Sequence, residues 1–114
     1  MPTKDFVIKQ GSEWAVELVL KDDTGTVINL TSYTAKMQIR KEKSKTSQLY
    51  DDLTSENTRI VITPLEGKLL LKIPSTVSDD YRFTRAFYDV EIVTGALVTR
   101  VLEGEIEINK NVTD

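Results

Sequence analysis

The chain has 114 residues, of which 39% are hydrophobic and 29% charged, and its net charge is −3. These values are typical of one globular domain with a core, and a weakly acidic chain without a basic block is a poor candidate for nucleic-acid binding. Neither cysteine nor histidine is present, which excludes disulfides, thiolate metal sites and imidazole-based catalysis.

Transport signals are also missing from the sequence. No apolar run approaches the roughly 20 residues of a membrane-spanning helix, and the start of the chain lacks the apolar segment of a signal peptide. The lack of cysteine favours a reducing compartment. We therefore expect a protein that is made in the cytoplasm, contacts neither membrane nor nucleic acid, and holds no metal or cofactor.

Alternation of apolar and polar residues predicts strands along the first third of the chain. The first two are expected at residues 5–10 and 13–21. Residues 22–25, with the sequence DDTG, are a turn signal, and a short return follows at residues 26–30. The segment 33–41 predicts a strand with one face in the core. That face carries Tyr33, Ala35, Met37 and Ile39.

The middle of the chain contains a polar loop and a hairpin. Residues 41–47, with the sequence KEKSKTS, predict an exposed loop in preference to a binding patch for anions. A short edge strand is expected at residues 48–53. Two further strands, at 59–63 and 68–73, are joined by a loop at residues 64–67, with the sequence PLEG.

Residues 74–84 break the strand pattern. Ser75 or Thr76 is expected to cap a single helical turn, with Asp79 near the positive end of its dipole. Such a turn would carry the chain from one sheet to the other.

The chain is organised around residues 87–109, which predict two strands joined by a tight turn at Thr94-Gly95-Ala96. The alternation slips once near Leu102-Glu103-Gly104, and a glycine at such a slip suggests a β-bulge. Residues 109–114 are polar and predict a C-terminal tail.

Seven to nine strands with at most one short helical turn predict one all-β domain over residues 1–114. The expected architecture is an antiparallel immunoglobulin-like β-sandwich, with a small closed barrel as the alternative. The predicted inward side chains are apolar or aromatic. They are Trp14, Val16, Leu18, Met37, Ile39, Ile60, Ile62, Leu69, Leu71, Ile73, Tyr88, Val90, Ile92 and some of Val101, Leu102, Ile106 and Ile108.

Three pairs of adjacent aspartates were weighed as sites: residues 22–23, 51–52 and 79–80. Paired carboxylates can bind Ca²⁺ or serve a glycosidase. All three pairs fall in predicted turns, where aspartate is favoured for backbone reasons. Turn formation is therefore the preferred interpretation.

Glu103, Glu105 and Glu107 occupy every second position of the last strand and so share one face. Like charges in a row are tolerated in water or opposite lysines and arginines. A solvated edge that discourages aggregation is the preferred interpretation, and an acidic docking stripe for a partner is the alternative.

Aromatic and arginine side chains cluster around the predicted crossover. Such residues suit an interface hot spot, although rings that cap the end of the sandwich would give the same pattern. The candidate partner-binding residues, in addition to the three glutamates, are Tyr81, Arg82, Phe83, Arg85 and Phe87.

Two other aromatic residues have structural interpretations. Trp14 lies on the apolar face of its strand and is expected in the core instead of forming a sugar-stacking platform. The Tyr88 hydroxyl is expected to bond the backbone at a sheet corner, as in a tyrosine corner.

The ordered motifs of the chain resemble small immunoglobulin-like domains of tailed-phage and prophage virion proteins, akin to the N-terminal domain of baseplate upper proteins. The motifs are "G-x-x-W", "D-x-x-G…I-x-L-T" leading to "M-x-I-R", "G-x-L-x-L-x-I", and "Y-D-V-E-I…V-x-R-x-L-E-G-x-I-x-I…V-T". The last is the most specific, and the set covers nearly the whole chain.

The resemblance implies a non-enzymatic structural or adaptor protein of a tail, baseplate or neck, located in the virion and made in the bacterial cytoplasm. The implied partners are other virion proteins and further copies of the chain in a symmetric homo-oligomer. No catalytic residue transfers from the family, and we expect no small-molecule ligand. A carbohydrate-binding or receptor-binding β-sandwich module is the alternative function.

Overall fold

The computed structural model describes residues 3–44 and 46–110. These residues form eight strands and two single helical turns. The strands are β1 (Phe6–Lys9), β2 (Trp14–Val19), β3 (Thr34–Arg40), β4 (Leu49–Thr54), β5 (Ile60–Thr63), β6 (Lys68–Ile73), β7 (Arg85–Thr94) and β8 (Leu97–Asn109). A 3-10 turn, Pro64–Glu66, lies in the predicted loop between β5 and β6, and the helix α1, Ser75–Asp79, lies in the predicted crossover.

The strands form two separate sheets instead of one closed barrel. A five-stranded sheet has the order β1-β8-β7-β3-β4, and a three-stranded sheet has the order β2-β6-β5. All neighbours pair antiparallel except β1, which runs parallel to β8. The orders β8-β7-β3 and β2-β6-β5 are those of the G-F-C and B-E-D strands of an immunoglobulin sandwich, so the predicted fold class is confirmed.

The core lies between the two sheets because alternate side chains of each strand point inward. Met37 of β3 pairs with Val90 of β7, and Ile39 pairs with Tyr88. Across the core, Leu69 and Leu71 of β6 are fully buried. Each such aliphatic side chain contributes roughly 1.5–3 kcal/mol on burial. The remaining predicted core residues that are buried are Ile60, Ile73, Ile92, Leu102, Ile106 and Ile108, whereas Trp14, Val16, Leu18, Ile62 and Val101 are partly buried against the core.

The β7–β8 hairpin forms as predicted, and a bulge lies in β8 directly before the predicted residues 102–104. Gly95 has a φ of 57°, which suits the first position of a two-residue hairpin turn. Val90 pairs with Leu102 and Glu91 with Arg100, so Val101 is the extra residue of the bulge.

Gly104 has a different role from the one predicted, because a Cβ there would lie 1.9 Å from the carbonyl oxygen of Lys4. The N-terminal segment runs parallel to β8 here, and the Lys4 amide donates to the Glu103 carbonyl at 2.9 Å. The Tyr88 hydroxyl donates a hydrogen bond of 2.5 Å to the same Lys4 carbonyl. The predicted bond from Tyr88 to the backbone is therefore confirmed, with a partner 84 residues away.

The helix α1 joins the two sheets as predicted, but its ends differ from the prediction. Its N-cap is Pro74, and neither predicted side chain caps it. Asp79 is the last helical residue and so lies near the negative end of the dipole. The fully buried Ser78 secures the turn, because its Oγ donates to the Ser12 carbonyl at 2.8 Å and accepts from the Gly11 amide at 3.1 Å.

Several loop predictions also have an outcome. The predicted return at residues 26–30 is no strand and contributes one isolated bridge, between Lys21 and Val27. The described residues of the loop 41–47 are mostly exposed, as predicted. In the predicted tail, Asn109 ends β8, and residues 111–114 lie outside the described residues. Within the described ranges, no helix is long and apolar enough to cross a membrane.

Candidate functional site

The structure separates the candidate partner-binding residues into two groups. In the register between β7 and β8, Arg85 lies opposite Glu107 and Phe87 opposite Glu105. These four residues and Glu103 occupy the outer face of the five-stranded sheet, which we call the charged face. The predicted solvated edge at the glutamates is wrong, because β8 lies between β1 and β7 over this stretch.

Tyr81, Arg82 and Phe83 form the second group, which precedes β7 and packs near β4. The ring of Phe83 stacks on Tyr50 with centroids 4.3 Å apart, and Tyr81 is 4.9 Å from Phe83. Phe87 does not join these rings, because it lies on the charged face beneath the Lys43 ammonium, 5.8 Å from the ring centroid. The predicted aromatic cluster thus loses one member.

Ion pairs between neighbouring strands neutralise much of the charged face. The Arg85 Nε donates to Glu105 Oε1 at 2.6 Å. The Arg100 guanidinium lies 3.2 Å from Asp89 Oδ2 and 3.6 Å from Glu103 Oε1. Because these groups are partly exposed to water, each pair adds little stability. The glutamates therefore form a mosaic with arginines, not a uniformly acidic stripe.

Glu91 is a buried acid on the same face, and no pattern in the sequence indicates its burial. It is only 3% exposed, and the Lys36 ammonium lies 3.5 Å from its Oε1. Lys36 and Arg100 are its partners in register on β3 and β8, so two long basic side chains flank it. An acid shielded in this way holds the local arrangement of the face in place.

A groove of about 260 Å³ opens on the charged face beside Phe87. On one side, the Arg40 guanidinium donates to the Ser47 carbonyl at 2.8 Å and to Gln38 Oε1 at 3.1 Å. Lys43 from the loop 41–47 covers the ring, and Arg100 lines the opposite side. The groove therefore has an aromatic floor and charged walls of both signs, which suits contact with a protein surface.

The second group contains a polar network that we call the corner. Arg59 donates to both carboxylate oxygens of Asp51, at 2.9 and 2.7 Å, and the Tyr81 hydroxyl donates to Asp51 Oδ2 at 2.6 Å. Asp51 lies on β4, Arg59 precedes β5, and Tyr81 follows α1. The network thus connects the two sheets and the crossover.

The environment of the corner shifts the pKa of its members. Burial alone would raise the pKa of Asp51, but hydrogen bonds from Arg59 and Tyr81 and the Arg59 charge hold it below its usual value. Burial and the hydrogen bond to Asp51 raise the pKa of the Tyr81 hydroxyl. Charged Asp51 and neutral Tyr81 are therefore the forms that the fold favours.

The aspartate pairs differ from one another in the structure. Asp22 forms the predicted turn, since its Oδ1 accepts from the amides of Thr24 at 2.9 Å and Thr26 at 3.0 Å. The Thr24 hydroxyl donates to the same oxygen at 2.6 Å. This bond has the largest effect in lowering the pKa of Asp22, and the two amide bonds lower it further. The turn prediction is wrong for residues 51–52, which lie on β4. Residues 79–80 end α1. Across the described part of the chain, no three acidic side chains come together to hold a metal ion.

Trp14 and Tyr88, the two aromatic residues with structural interpretations, both belong to the packing of the core. Trp14 is partly buried and packs edge-on against Phe6, with centroids 5.1 Å apart. Tyr88 is 4% exposed. Burial raises the pKa of its hydroxyl, and the charges of Asp5 and Glu103 add to that effect.

The fold and these sites define an immunoglobulin-like β-sandwich module. No protein-family model matches the chain, and no curated protein is similar to it. A similar solved structure contains extracellular domains 3–5 of Drosophila OTK, at 16% identity and a TM-score of 0.43 over 94% of this chain. This chain spans only 33% of that one.

Another similar structure is an extracellular fragment, including the stalk region, of novel immune-type receptor 11 from Ictalurus punctatus. Its identity is 16% and its TM-score 0.45, over 100% of this chain and 88% of that one. Similarities of this size carry no information on function. The assignment of the fold rests on the strand order described above.

Proposed function

We propose that the chain is a non-enzymatic structural or adaptor protein of a tailed-phage or prophage particle, and that it acts by docking to other virion proteins. The particle is its working location, and the host cytoplasm is where it is made. The charged face is the docking surface in this proposal, with Phe87 as the anchor and Arg85 and Glu105 at the rim.

The observation that carries the proposal is the composition of the charged face. A half-buried aromatic ring beside arginines, within a rim of paired charges, is the arrangement found at the centre of protein interfaces. The five-stranded sheet provides a rigid base for it. A particle component needs such a surface to hold a fixed geometry against its neighbours.

The ordered motifs support the particle assignment in a separate way. The described motif residues lie mostly on β2, β3, β6, β7 and β8, and they include the core residues Met37 and Ile39. The resemblance is therefore largely one of framework. On the docking face, Arg85, Phe87 and Glu105 lie at positions that the motifs leave open, whereas Glu103 belongs to the last motif. No catalytic group is needed for such a role.

Mass spectrometry of purified particles tests the proposal directly. Particles induced from the strain that encodes the chain should contain it in a fixed ratio to the other structural proteins. A particle preparation without the chain would contradict the virion assignment.

Docking is tested with surface variants in the same particles. Phe87→Ala should lower incorporation of the chain, because it removes the anchor while leaving the ion pairs intact. Val61→Ala is the matched control, since Val61 is 41% exposed on the three-stranded sheet. Equal incorporation of both variants would remove the charged face from the proposal.

A carbohydrate-binding module is the second candidate, favoured by a shallow pocket of about 300 Å³ beside the Tyr50–Phe83 stack, with Asp80 and Arg82 at its rim. Sugar-binding sites use exposed aromatic rings, and Tyr81 does not provide one because it is only 6% exposed. A glycan array that compares the parent chain with Tyr50→Ala discriminates the two functions. Binding that the variant loses would favour the carbohydrate function.

A further inference from the structure

The first half of β8 has a strand on one side only. Within the described ranges, Glu103 is the first residue of β8 that pairs with the N-terminal segment, and it does so through a bridge with Thr3. Residues 97–101 of β8 therefore have β7 as their single neighbour, and we call this stretch the open edge. Leu97 is 59% exposed there and Val98 is 50% exposed.

The backbone of the open edge offers hydrogen-bonding groups to a further strand. A two-residue hairpin turn closes on a hydrogen-bonded pair, here Thr94 and Leu97. Because hydrogen-bonded and non-bonded pairs alternate along an antiparallel ladder, Leu97 and Thr99 bond to β7. Val98 and Arg100 consequently direct their N–H and C=O groups away from the sheet.

The opposite edge of the same sheet, at β4, is closed by side chains. The Thr54 amide donates to Asn57 Oδ1 at 3.0 Å. The Asp52 carbonyl accepts from Asn57 Nδ2 at 3.4 Å and from Arg59 Nη1 at 3.2 Å. These side chains occupy the positions that an added strand would use.

The edges of the three-stranded sheet are protected in other ways. The strand β5 has four residues and is followed by Pro64, which has no N–H to donate. The edge of β2 carries Glu17, and Glu13 directly precedes the strand; charged side chains of this kind discourage pairing at an edge. Glu17 is paired with Lys68 at 3.8 Å, and on the open edge the charge of Arg100 is balanced by Asp89 and Glu103.

We propose that two copies of this chain pair through the open edge of β8, antiparallel and about a two-fold axis, so that their five-stranded sheets form one continuous sheet. A second copy is the occupant that the edge favours, because the edge is self-complementary. The inference does not depend on the proposed function.

The outward backbone groups determine the register of the pair. A two-fold axis at Thr99 places Val98 of each copy opposite Arg100 of the other, where the four outward N–H and C=O groups of one copy meet those of the other. Thr99 then lies opposite Thr99 of the other copy, which is a favourable pair in sheets, and Leu97 lies opposite Val101 of the other copy. The two Arg100 side chains lie diagonally and not directly opposite each other, and each is paired with Asp89 and Glu103 of its own copy.

Sedimentation equilibrium of the purified chain over a range from micromolar to millimolar tests this proposal. We expect a reversible change from the chain mass of 12.9 kDa to twice that value. Val98→Pro should abolish the change, because it removes an outward N–H while leaving the bonds to β7 in place. A chain that stays monomeric at every concentration would overturn the proposal.

Two variants of opposite charge at the same position test the register even if the proline variant fails to fold. Val98→Lys places a lysine beside Arg100 of the other copy and should weaken self-association by about tenfold. Val98→Glu places a carboxylate there and should preserve it. If both variants weaken association equally, the register about Thr99 is wrong.

Leu65→Ser is the control for general stickiness, since Leu65 is 78% exposed in the 3-10 turn and lies off the open edge. It should leave the dimer unchanged. Loss of the dimer in this variant would show that exposed apolar surface, and not strand pairing, drives association.

Discussion

The corner and the charged face are both built from arginines, acids and aromatic rings, yet they have different physical roles. In the corner, Arg59 and Asp51 are 17% and 16% exposed at their side chains. On the charged face, Arg85 is 72% exposed and its partner Glu105 is 34% exposed. The same kind of ion pair is thus screened by water in one place and largely removed from it in the other.

The difference shows that burial determines what a polar cluster does, because the chemical groups are alike. A pair removed from water is costly to break, since the remaining partner keeps an unpaired charge. A pair in water is nearly neutral in energy and is free to exchange partners. The corner therefore serves stability, and the charged face is available for binding.

The largest effect is expected from breaking the corner. Asp51→Ala leaves the Arg59 charge partly buried without its bidentate acceptor and removes the acceptor of the Tyr81 hydroxyl. We expect a loss of about 3 kcal/mol in the free energy of unfolding, measured by urea denaturation. The exposed neighbour Asp52, changed to alanine, should cost less than about 0.5 kcal/mol. Equal losses would contradict the assigned role of the corner.

Acid should weaken the corner. The pKa of Asp51 is lower in the folded chain than in the unfolded chain, so its contribution is complete above about pH 4. The contribution is lost as the pH falls through the folded value. Asp51→Asn should therefore be less stable than the parent at neutral pH, and the two should converge in acid. A stability difference that does not change with pH would exclude this linkage.

A smaller effect is expected from the hydroxyl of Tyr81. Tyr81→Phe keeps the ring packed against Phe83 and removes one charge-assisted hydrogen bond, so we expect a loss of about 1.5–3 kcal/mol in thermal or urea unfolding. Tyr88→Phe is the matched comparison, because its hydroxyl donates to the neutral Lys4 carbonyl. It should cost about 1 kcal/mol. A larger loss for Tyr88 would reverse the ranking of the two bonds.

The strands were predictable because their signal is local. Alternation along residues 33–41 and 87–109 depends only on neighbouring side chains, and the inward positions of Met37 and Val90 follow from it. The parallel pairing of β1 with β8 was not predictable. It joins residues 100 positions apart, such as Phe6 and Ile106, and no local pattern records it.

The candidate site was predictable in part for the same reason. Arg85, Phe87 and Glu105 were named one by one, but their meeting on a single face depends on the register of the hairpin. The corner was missed because Asp51 resembles a turn residue and Arg59 lies eight positions away. Alternation alone places Glu91 on the polar face of its strand, and only the flanking Lys36 and Arg100 explain its burial.

The smallest effect is expected on the charged face, and its size decides whether that face is free to bind. In a double-mutant cycle of Arg85→Ala and Glu105→Ala, the coupling energy should be about 0.2–1 kcal/mol despite the separation of 2.6 Å. It should fall as salt is raised toward 1 M, because the pair is exposed to water and the Debye length there shrinks to about 3 Å, close to the separation of the pair. A coupling that exceeds 2 kcal/mol and resists salt would place this pair with the corner. The charged face would then be a stabilising surface, and its role in docking would be lost.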